Sequence, residues 1–190
     1  MKKSVTLALI LGVLVILVGC ATLPNPESSN DSLVVGSFAL DFPDGFFNRG
    51  PKTISHGLIL SFVNQTDNSR FTVRTINGMF HLVVPGETLI ALESVKAEIK
   101  DREHTFTIVE PEIEVPFQVQ PGCISYLGDF KLVYNQPEIA THERHSTFWN
   151  FEVHFERNHS KGETATREYI KTVDASSPWL QRPFSEIAIQ

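Results

Sequence analysis

Cysteine is almost absent from this sequence, which contains only Cys20 and Cys123 among its 190 residues. Because Cys20 belongs to the N-terminal motif discussed below, no disulfide is available within the remaining chain. A domain of this size does without one, since its hydrophobic core is large enough. No Cys-x-x-Cys pair occurs, which excludes the common cysteine-based zinc and redox motifs. We interpret Cys123 as a buried, inert thiol.

Positive charge is also scarce, because 16 Lys and Arg residues stand against 22 Asp and Glu residues, for a net charge of −6. Removal of residues 1–19 takes away Lys2 and Lys3 and leaves a formal charge of −8. An acidic chain without a basic run is a poor match for nucleic acid and is not attracted to an anionic membrane surface. We therefore expect no nucleic-acid partner, and membrane attachment would have to come from a lipid group.

Motifs that carry catalysis or hold cofactors are missing as well. The sequence contains no Gly-x-Ser-x-Gly, no glycine-rich phosphate loop and no dinucleotide fingerprint, so no cofactor is predicted. The weak candidates for metal ligands are His142 and His145, three residues apart in the polar stretch 135–146. Zinc needs three or four convergent ligands, and this pair does not form His-Glu-x-x-His. Solvated loop histidines are the default interpretation, and a hydrolase or metal-dependent enzyme using this loop is the alternative.

The N-terminus contains the one long apolar run of the chain. Lys2 and Lys3 precede an apolar segment over residues 7–18, and the segment ends in Leu17-Val18-Gly19-Cys20. The run is shorter than the roughly 20 residues that span a bilayer, and it is typical of a secretory signal. Its ending resembles the lipobox of bacterial lipoproteins, Leu-x-Gly-Cys. This resemblance implies that residues 1–19 are a signal peptide cut off before Cys20, and that Cys20 carries the lipid.

The same resemblance implies a location in the bacterial cell envelope. Two or more acyl chains hold a protein firmly on a membrane, whereas one holds it weakly. The residue after the cysteine is Ala21 rather than Asp, which resembles the sorting pattern for the outer membrane in a host that has one. The membrane, through the lipid at Cys20, is therefore the first predicted partner.

The chain divides into three parts. Residues 1–19 are the predicted signal peptide. Residues 20–32 combine the lipidated cysteine with Pro, Ser, Asn and acidic residues, which predicts a flexible tether. Residues 33–190 form a single predicted domain.

Alternating apolar and polar residues between turn residues dominate this domain up to residue 158. The pattern predicts an all-β fold, an antiparallel β-sandwich of about eight or nine strands. Residues 164–174 change to a helical period and predict one short C-terminal helix. Apolar residues beyond it predict that the tail packs back on the domain: Trp179, Leu180, Phe184 and Ile187.

The strongest local signal is Asn77-Gly78, the pair favoured in a two-residue hairpin turn because both positions need positive φ. The turn predicts a hairpin of residues 70–76 with 79–84, with Arg74 opposite His81. One face would then point to the core, with Phe71, Val73, Phe80, Leu82 and Val84. The other face would carry a small cationic patch of Arg70, Thr72, Arg74 and His81. A solvent-facing sheet is the plain interpretation, and a docking surface for an acidic partner or polysaccharide is the functional one.

A second, short resemblance covers about ten residues beginning with Pro121-Gly122-Cys123 and containing Tyr126-Leu127-Gly128. It resembles the Pro-Gly-x-x-x-Tyr-Leu-Gly strand of some small bacterial lipoproteins of unknown function, with Cys123 in place of their usual lysine. It implies a fold and no activity. The predicted function is a non-catalytic envelope lipoprotein that binds another envelope protein or polysaccharide, or acts structurally. A carbohydrate-binding module, which needs a row of exposed aromatic rings, is a further alternative.

Overall fold

The computed structural model describes residues 23–42, 52–100, 105–135, 152–158 and 162–189. These residues form ten strands, one α-helix and one 3₁₀ helix. The strands are β1 (Asp31–Phe42), β2 (Lys52–Ile54), β3 (Ile59–Asn64), β4 (Arg70–Arg74), β5 (Met79–Pro85), β6 (Leu89–Lys100), β7 (Thr105–Gln118), β8 (Ile124–Asn135), β9 (Glu152–Asn158) and β10 (Ala188–Ile189). The helix α1 spans Gly162–Val173, and the 3₁₀ helix spans Pro178–Gln181.

Two five-stranded sheets form the domain. Sheet I has the order β2-β1-β8-β9, and β5 pairs along the N-terminal half of β1 on the side where β2 pairs with its C-terminal end. Sheet II has the order β10-β7-β6-β3-β4. Among the named strands, all described pairs are antiparallel except β1 with β8, which run parallel. The predicted all-β sandwich with one C-terminal helix is therefore confirmed, with one parallel pair at its centre.

The main core lies between the two sheets and is rich in phenylalanine. Phe62 of β3 reaches across the sandwich to Phe80 of β5, with ring centroids 5.6 Å apart, and meets Phe117 of β7 edge-on at 6.3 Å. All three rings are essentially inaccessible to solvent. Aromatic pairs at these distances stabilise a core beyond the area that they bury.

A second apolar layer covers the opposite face of sheet I. There, α1 and the 3₁₀ helix pack over the first halves of β1 and β8, and Ile170 and Trp179 are fully buried. Strand β1 is consequently buried on both faces over residues 32–36. The predicted helix and the packing of the C-terminal tail are confirmed, because the described contacts place Trp179, Leu180 and Phe184 in this layer and Ile187 against the main core.

The predicted two-residue turn at Asn77-Gly78 is confirmed. Both residues have positive φ, 51° and 82°. Ile76 and Met79 exchange both of their backbone hydrogen bonds across it, at 2.8 and 3.0 Å.

The prediction that residues 70–76 and 79–84 form one long hairpin is wrong. Beyond Ile76 and Met79 the two strands separate, since β4 pairs with β3 in sheet II whereas β5 pairs with β1 in sheet I. Arg74 therefore lies opposite Ile59, and His81 lies opposite Val35. The predicted core face is right despite this, because each strand turns its apolar side to the same space between the sheets.

The predicted tether does not hold for residues 23–32. Leu23 is 3% exposed and belongs to the apolar layer on sheet I, and β1 already begins at Asp31. The composition of the segment is polar, but side chains more than 150 positions away bind its backbone carbonyls. The folded domain therefore begins about ten residues before the predicted boundary at residue 33.

Candidate functional site

The segment that follows Cys20 is bound to the domain by side chains of its C-terminal tail. Leu23 packs in the apolar layer on sheet I, and the Nε1–H of Trp179 donates a hydrogen bond to the carbonyl of Pro24 at 2.6 Å. The buried indole thus gains a partner for its only donor, as buried tryptophans generally require. This contact fixes the chain four residues after Cys20.

Arg182 binds the same segment from the outside. Its two terminal guanidinium nitrogens donate to the carbonyls of Ser29 and Ser28, at 2.8 and 3.1 Å. The guanidinium also lies 5.9 Å from the ring centroid of Trp179, a distance at which a cation is attracted to an aromatic face. Arg182 therefore joins the N-terminal segment to the C-terminal tail.

Asp31 closes the turn between this segment and β1. Its carboxylate accepts hydrogen bonds from the hydroxyl of Ser28 at 2.8 Å and from the backbone N–H groups of Glu27 and Ser28 at 2.6 and 2.8 Å. These bonds, the Ser28 hydroxyl first, favour the charged form and lower the pKa of Asp31. The turn is therefore held by a carboxylate that is ionised at neutral pH.

Two Pro-Gly turns of similar sequence meet at one carbonyl oxygen of the segment. The N–H groups of Gly86 and Gly122 both donate to the carbonyl of Asn30, at 2.9 and 3.2 Å. Only glycine fits at either position: a Cβ on Gly86 would lie 2.2 Å from the Cα of Pro121, and a Cβ on Gly122 would lie 2.8 Å from the carbonyl oxygen of Ser29. The two turns and the N-terminal segment therefore form one packed end of the sandwich, which we call the N-terminal end.

The short Tyr126-Leu127-Gly128 sequence is a β-bulge in β8. Pairing with β1 shifts there, from Val35 opposite Tyr126 to Gly36 opposite Gly128. The extra residue, Leu127, points into the main core, whereas Tyr126 lies in the layer under α1. Gly128 has a φ of 127°, a conformation that other residues rarely adopt.

Beside the bulge, Asp129 accepts hydrogen bonds from two hydroxyl groups on the outer face of sheet I. Ser37 and Tyr126 both donate to its Oδ1, at 2.5 and 2.6 Å. Burial, followed by the bond to Asp129, raises the pKa of Tyr126 above its usual value. A tyrosine in this state keeps its proton at neutral pH, and the three side chains form a hydrogen-bond cluster on the outer face of sheet I.

The residues predicted as a partner surface lie in two places. Arg70 and Arg74 are exposed on sheet II, and the Nε and terminal nitrogen of Arg70 bind the two carboxylate oxygens of Glu93 at 2.9 and 2.8 Å. His81 lies in sheet I. The prediction that Arg70, Arg74 and His81 form a single patch is therefore wrong, because they lie in different sheets. Glu93 also partly neutralises the charge of Arg70.

His81 is covered by the helix instead of facing a partner. Its Nδ1 is 2.8 Å from the hydroxyl of Tyr169, with the rings 6.0 Å apart. Burial lowers the pKa of His81 and raises the pKa of Tyr169 to about 12. Both groups are consequently neutral in the folded protein at neutral pH.

This pairing makes stability depend on pH. Because the pKa of His81 is lower in the folded than in the unfolded state, the unfolded state binds more protons below about pH 6.5. We expect stability to fall as the pH drops through that value, and the fall to be smaller in His81→Gln. Thermal unfolding from about pH 8 to about pH 5 measures this difference. Equal pH dependence in the two proteins would show that His81 titrates as an exposed histidine.

Several predicted residues lie outside the described residues: Cys20, His142 and His145. Within the described ranges, no group of three or more His, Cys, Asp or Glu side chains is placed to hold a metal ion. The described ranges also contain no helix with the length and apolarity of a membrane span. Cys123 is a free, partly buried thiol whose Sγ lies 3.4 Å from the carbonyl oxygen of Pro121.

Stability without metal is a direct prediction for the whole chain. We expect thermal unfolding curves with and without a chelator to coincide, because the core between the sheets is sufficient by itself. A fall in the midpoint of more than about 5 °C, the scale of roughly 1 kcal/mol, would instead support a metal bound at His142 and His145.

Comparisons with protein-family models, with curated proteins and with solved structures found no significant match to this chain. The resemblances to the lipobox and to the Tyr-Leu-Gly strand therefore stay predictions.

Sequence reasoning missed the contacts that bind residues 23–31. The sequence predicts that Trp179 packs in the tail, but no residue near it in sequence indicates that its indole binds the carbonyl of Pro24. The one available signal was Leu23, a lone apolar residue in a polar stretch.

Proposed function

We propose that this protein is a bacterial envelope lipoprotein, anchored through lipid on Cys20, with a non-catalytic β-sandwich that binds another envelope component or acts structurally. The observation that carries the proposal is Leu17-Val18-Gly19-Cys20 at the end of an apolar segment that begins after two lysines. Cleavage before Cys20 removes residues 1–19 and makes Leu23 the fourth residue of the mature chain. The outer membrane is the proposed location in a host that has one, because Ala21 follows the cysteine.

The described geometry is compatible with an anchor at this position. The chain enters the fold at the N-terminal end, and Leu23 and Pro24 are held there by Trp179. A pull on the lipid therefore acts on a packed part of the domain. The two Pro-Gly turns and Arg182 brace the same end.

The chemistry of the polar clusters favours a non-catalytic role. Ser37 and Tyr126 donate to Asp129, so their protons are engaged with a carboxylate that holds them in place. His81 is partly buried and lies against the hydroxyl of Tyr169 under the helix. These arrangements stabilise the outer face of sheet I.

The burial of the described tryptophan and tyrosine rings counts against the carbohydrate-binding alternative. That alternative needs tryptophan or tyrosine rings exposed in a row. Among the two tryptophans and three tyrosines of the chain, Trp179, Tyr126 and Tyr134 are buried and Tyr169 is partly covered. Trp149 lies outside the described residues, and one ring does not make a row.

Replacement of Cys20 tests the anchor. We expect Cys20→Ser to release the protein from the membrane fraction or to leave the precursor uncleaved, because serine has no thiol to accept the lipid. Cys123→Ser is the matched control and should leave membrane attachment and mature size unchanged. Retention of Cys20→Ser in membranes at mature size would overturn the proposal.

A further inference from the structure

We infer that the N-terminal end of the sandwich rests directly on the bilayer, with no flexible spacer between lipid and domain. The inference rests on the proposed anchor at Cys20. It adds an orientation: residues around the two Pro-Gly turns meet the lipid headgroups, and the opposite end of the strands points away from the membrane.

The length of chain between anchor and fold sets the distance. Consecutive Cα atoms are about 3.8 Å apart, so three steps from Cys20 to Leu23 span at most about 11 Å. Leu23 is 3% exposed, and the carbonyl of the next residue accepts the indole bond from Trp179. No slack remains after Leu23, because Arg182 and the Pro-Gly turns hold residues 28–30. Leu23, which packs over the first halves of β1 and β8 beside this end, must therefore lie within about 11 Å of the lipidated residue.

The surface at this end suits contact with headgroups. Its exposed side chains are short or uncharged for the most part: Pro24, Asn25, Ser28, Ser29, Asn30, Gln120 and Gln181. The exposed acids there include Glu27, Glu87 and Glu186, and Arg182 already binds backbone carbonyls of the segment. Such a surface is not drawn to an anionic bilayer by charge. It is held at the bilayer by the acyl chains.

The far end of the sandwich is then well above the membrane. From Ser32 to Phe42 the ten steps of β1 rise about 33 Å, at about 3.3 Å per residue. At that end Lys52 pairs with Phe42, and Glu152 pairs with Asn135. The described strands therefore end at Phe42 and Asn135, and begin at Lys52 and Glu152, on the side away from the bilayer.

Fluorescence quenching tests this orientation in the full-length lipidated protein. Two variants, Gln120→Cys and Lys52→Cys, are made on a Cys123→Ser background and labelled with the same thiol-reactive dye. Both positions are exposed, one at each end of the sandwich. The proteins are reconstituted into vesicles of phosphatidylethanolamine and phosphatidylglycerol that contain a lipid with a nitroxide on its headgroup.

We expect the dye at position 120 to lose most of its fluorescence and the dye at position 52 to lose little. A linker of twelve Gly and Ser residues inserted after Thr22 is the control, since it adds roughly 20 Å of flexible reach and leaves Leu23 in place. Quenching at position 120 should then fall toward that at position 52.

The outcomes separate the two proposals. Protein that floats with the vesicles but shows equal quenching at both positions overturns the orientation and leaves the anchor intact. Protein that carries no lipid and fails to float overturns both. Quenching at position 120 that does not change with the linker shows that the end binds the bilayer by itself and overturns the claim that chain length holds it there.

Discussion

Trp179→Ala is expected to destabilise the domain by about 3–5 kcal/mol, the usual cost of removing a buried tryptophan. Trp179 belongs to the 3₁₀ helix, and its fully buried indole packs in the layer that α1 and this helix form on sheet I. Its loss also leaves the carbonyl of Pro24 without its donor and removes the ring on which Arg182 lies. Because a whole domain is stable by only about 5–15 kcal/mol, this one change would use much of that margin. Urea unfolding measures the loss.

The same variant should release the N-terminal segment. Limited proteolysis is expected to cut within residues 23–30 faster in Trp179→Ala than in the wild type. Trp179→Phe is the matched control: it keeps most of the packing, loses the hydrogen bond to Pro24, and should cost less. The indole does not hold the segment in place if Trp179→Ala unfolds at the same urea concentration as the wild type and its residues 23–30 are cut no faster by the protease.

Phe80→Ala is expected to cost a similar amount, about 3–5 kcal/mol, through lost burial and a cavity between the sheets. Phe80 is 1% exposed and contacts Phe62 of the opposite sheet. Arg74 lies on the exposed side of β4. Arg74→Ala should therefore lower the free energy of unfolding by well under 1 kcal/mol. Equilibrium unfolding of both variants checks the assignment of faces. A large loss for Arg74→Ala with little for Phe80→Ala would reverse it.

Gly36 supplies a sharper test of the same packing. A Cβ at Gly36 would lie 2.6 Å from the Cζ of Phe80, so Gly36→Ala alone should be strongly destabilising. In the Phe80→Ala background the ring is gone, and the added methyl has room, although the carbonyl oxygen of Gly128 at 3.2 Å still limits it. We therefore expect the double variant to be more stable than the sum of the two losses predicts. Strict additivity would show that the two residues do not touch.

The hairpin shows what sequence patterns determine and what they leave open. Asn77-Gly78 specifies a two-residue turn, and alternation specifies which side of each strand is apolar. Neither specifies how far the two strands stay paired. In this fold they part after Ile76 and Met79 and join different sheets, because a two-residue turn can also serve as the corner of a sandwich. Alternation alone is enough to predict the core residues. The partner surface also depends on which strands pair, and the sequence pattern does not specify this.

The N-terminal segment shows a different limit. Its Pro, Ser, Asn and acidic residues resemble a linker, since such a composition buries little apolar surface of its own. The segment is ordered by side chains of the opposite terminus, Trp179 and Arg182, which bind its backbone carbonyls. Backbone carbonyls are the same in every sequence, so composition alone gives no sign that they will be bound. Composition alone therefore does not predict that residues 23–31 belong to the domain.

Mass spectrometry of the mature protein extracted from membranes tests the central claim most directly. We predict that the first residue is Cys20, that residues 1–19 are absent, and that the N-terminal peptide carries both a diacylglyceryl group on the thiol and an acyl group on the amine. An N-terminal peptide that begins elsewhere, or that begins at Cys20 without lipid, would contradict the account.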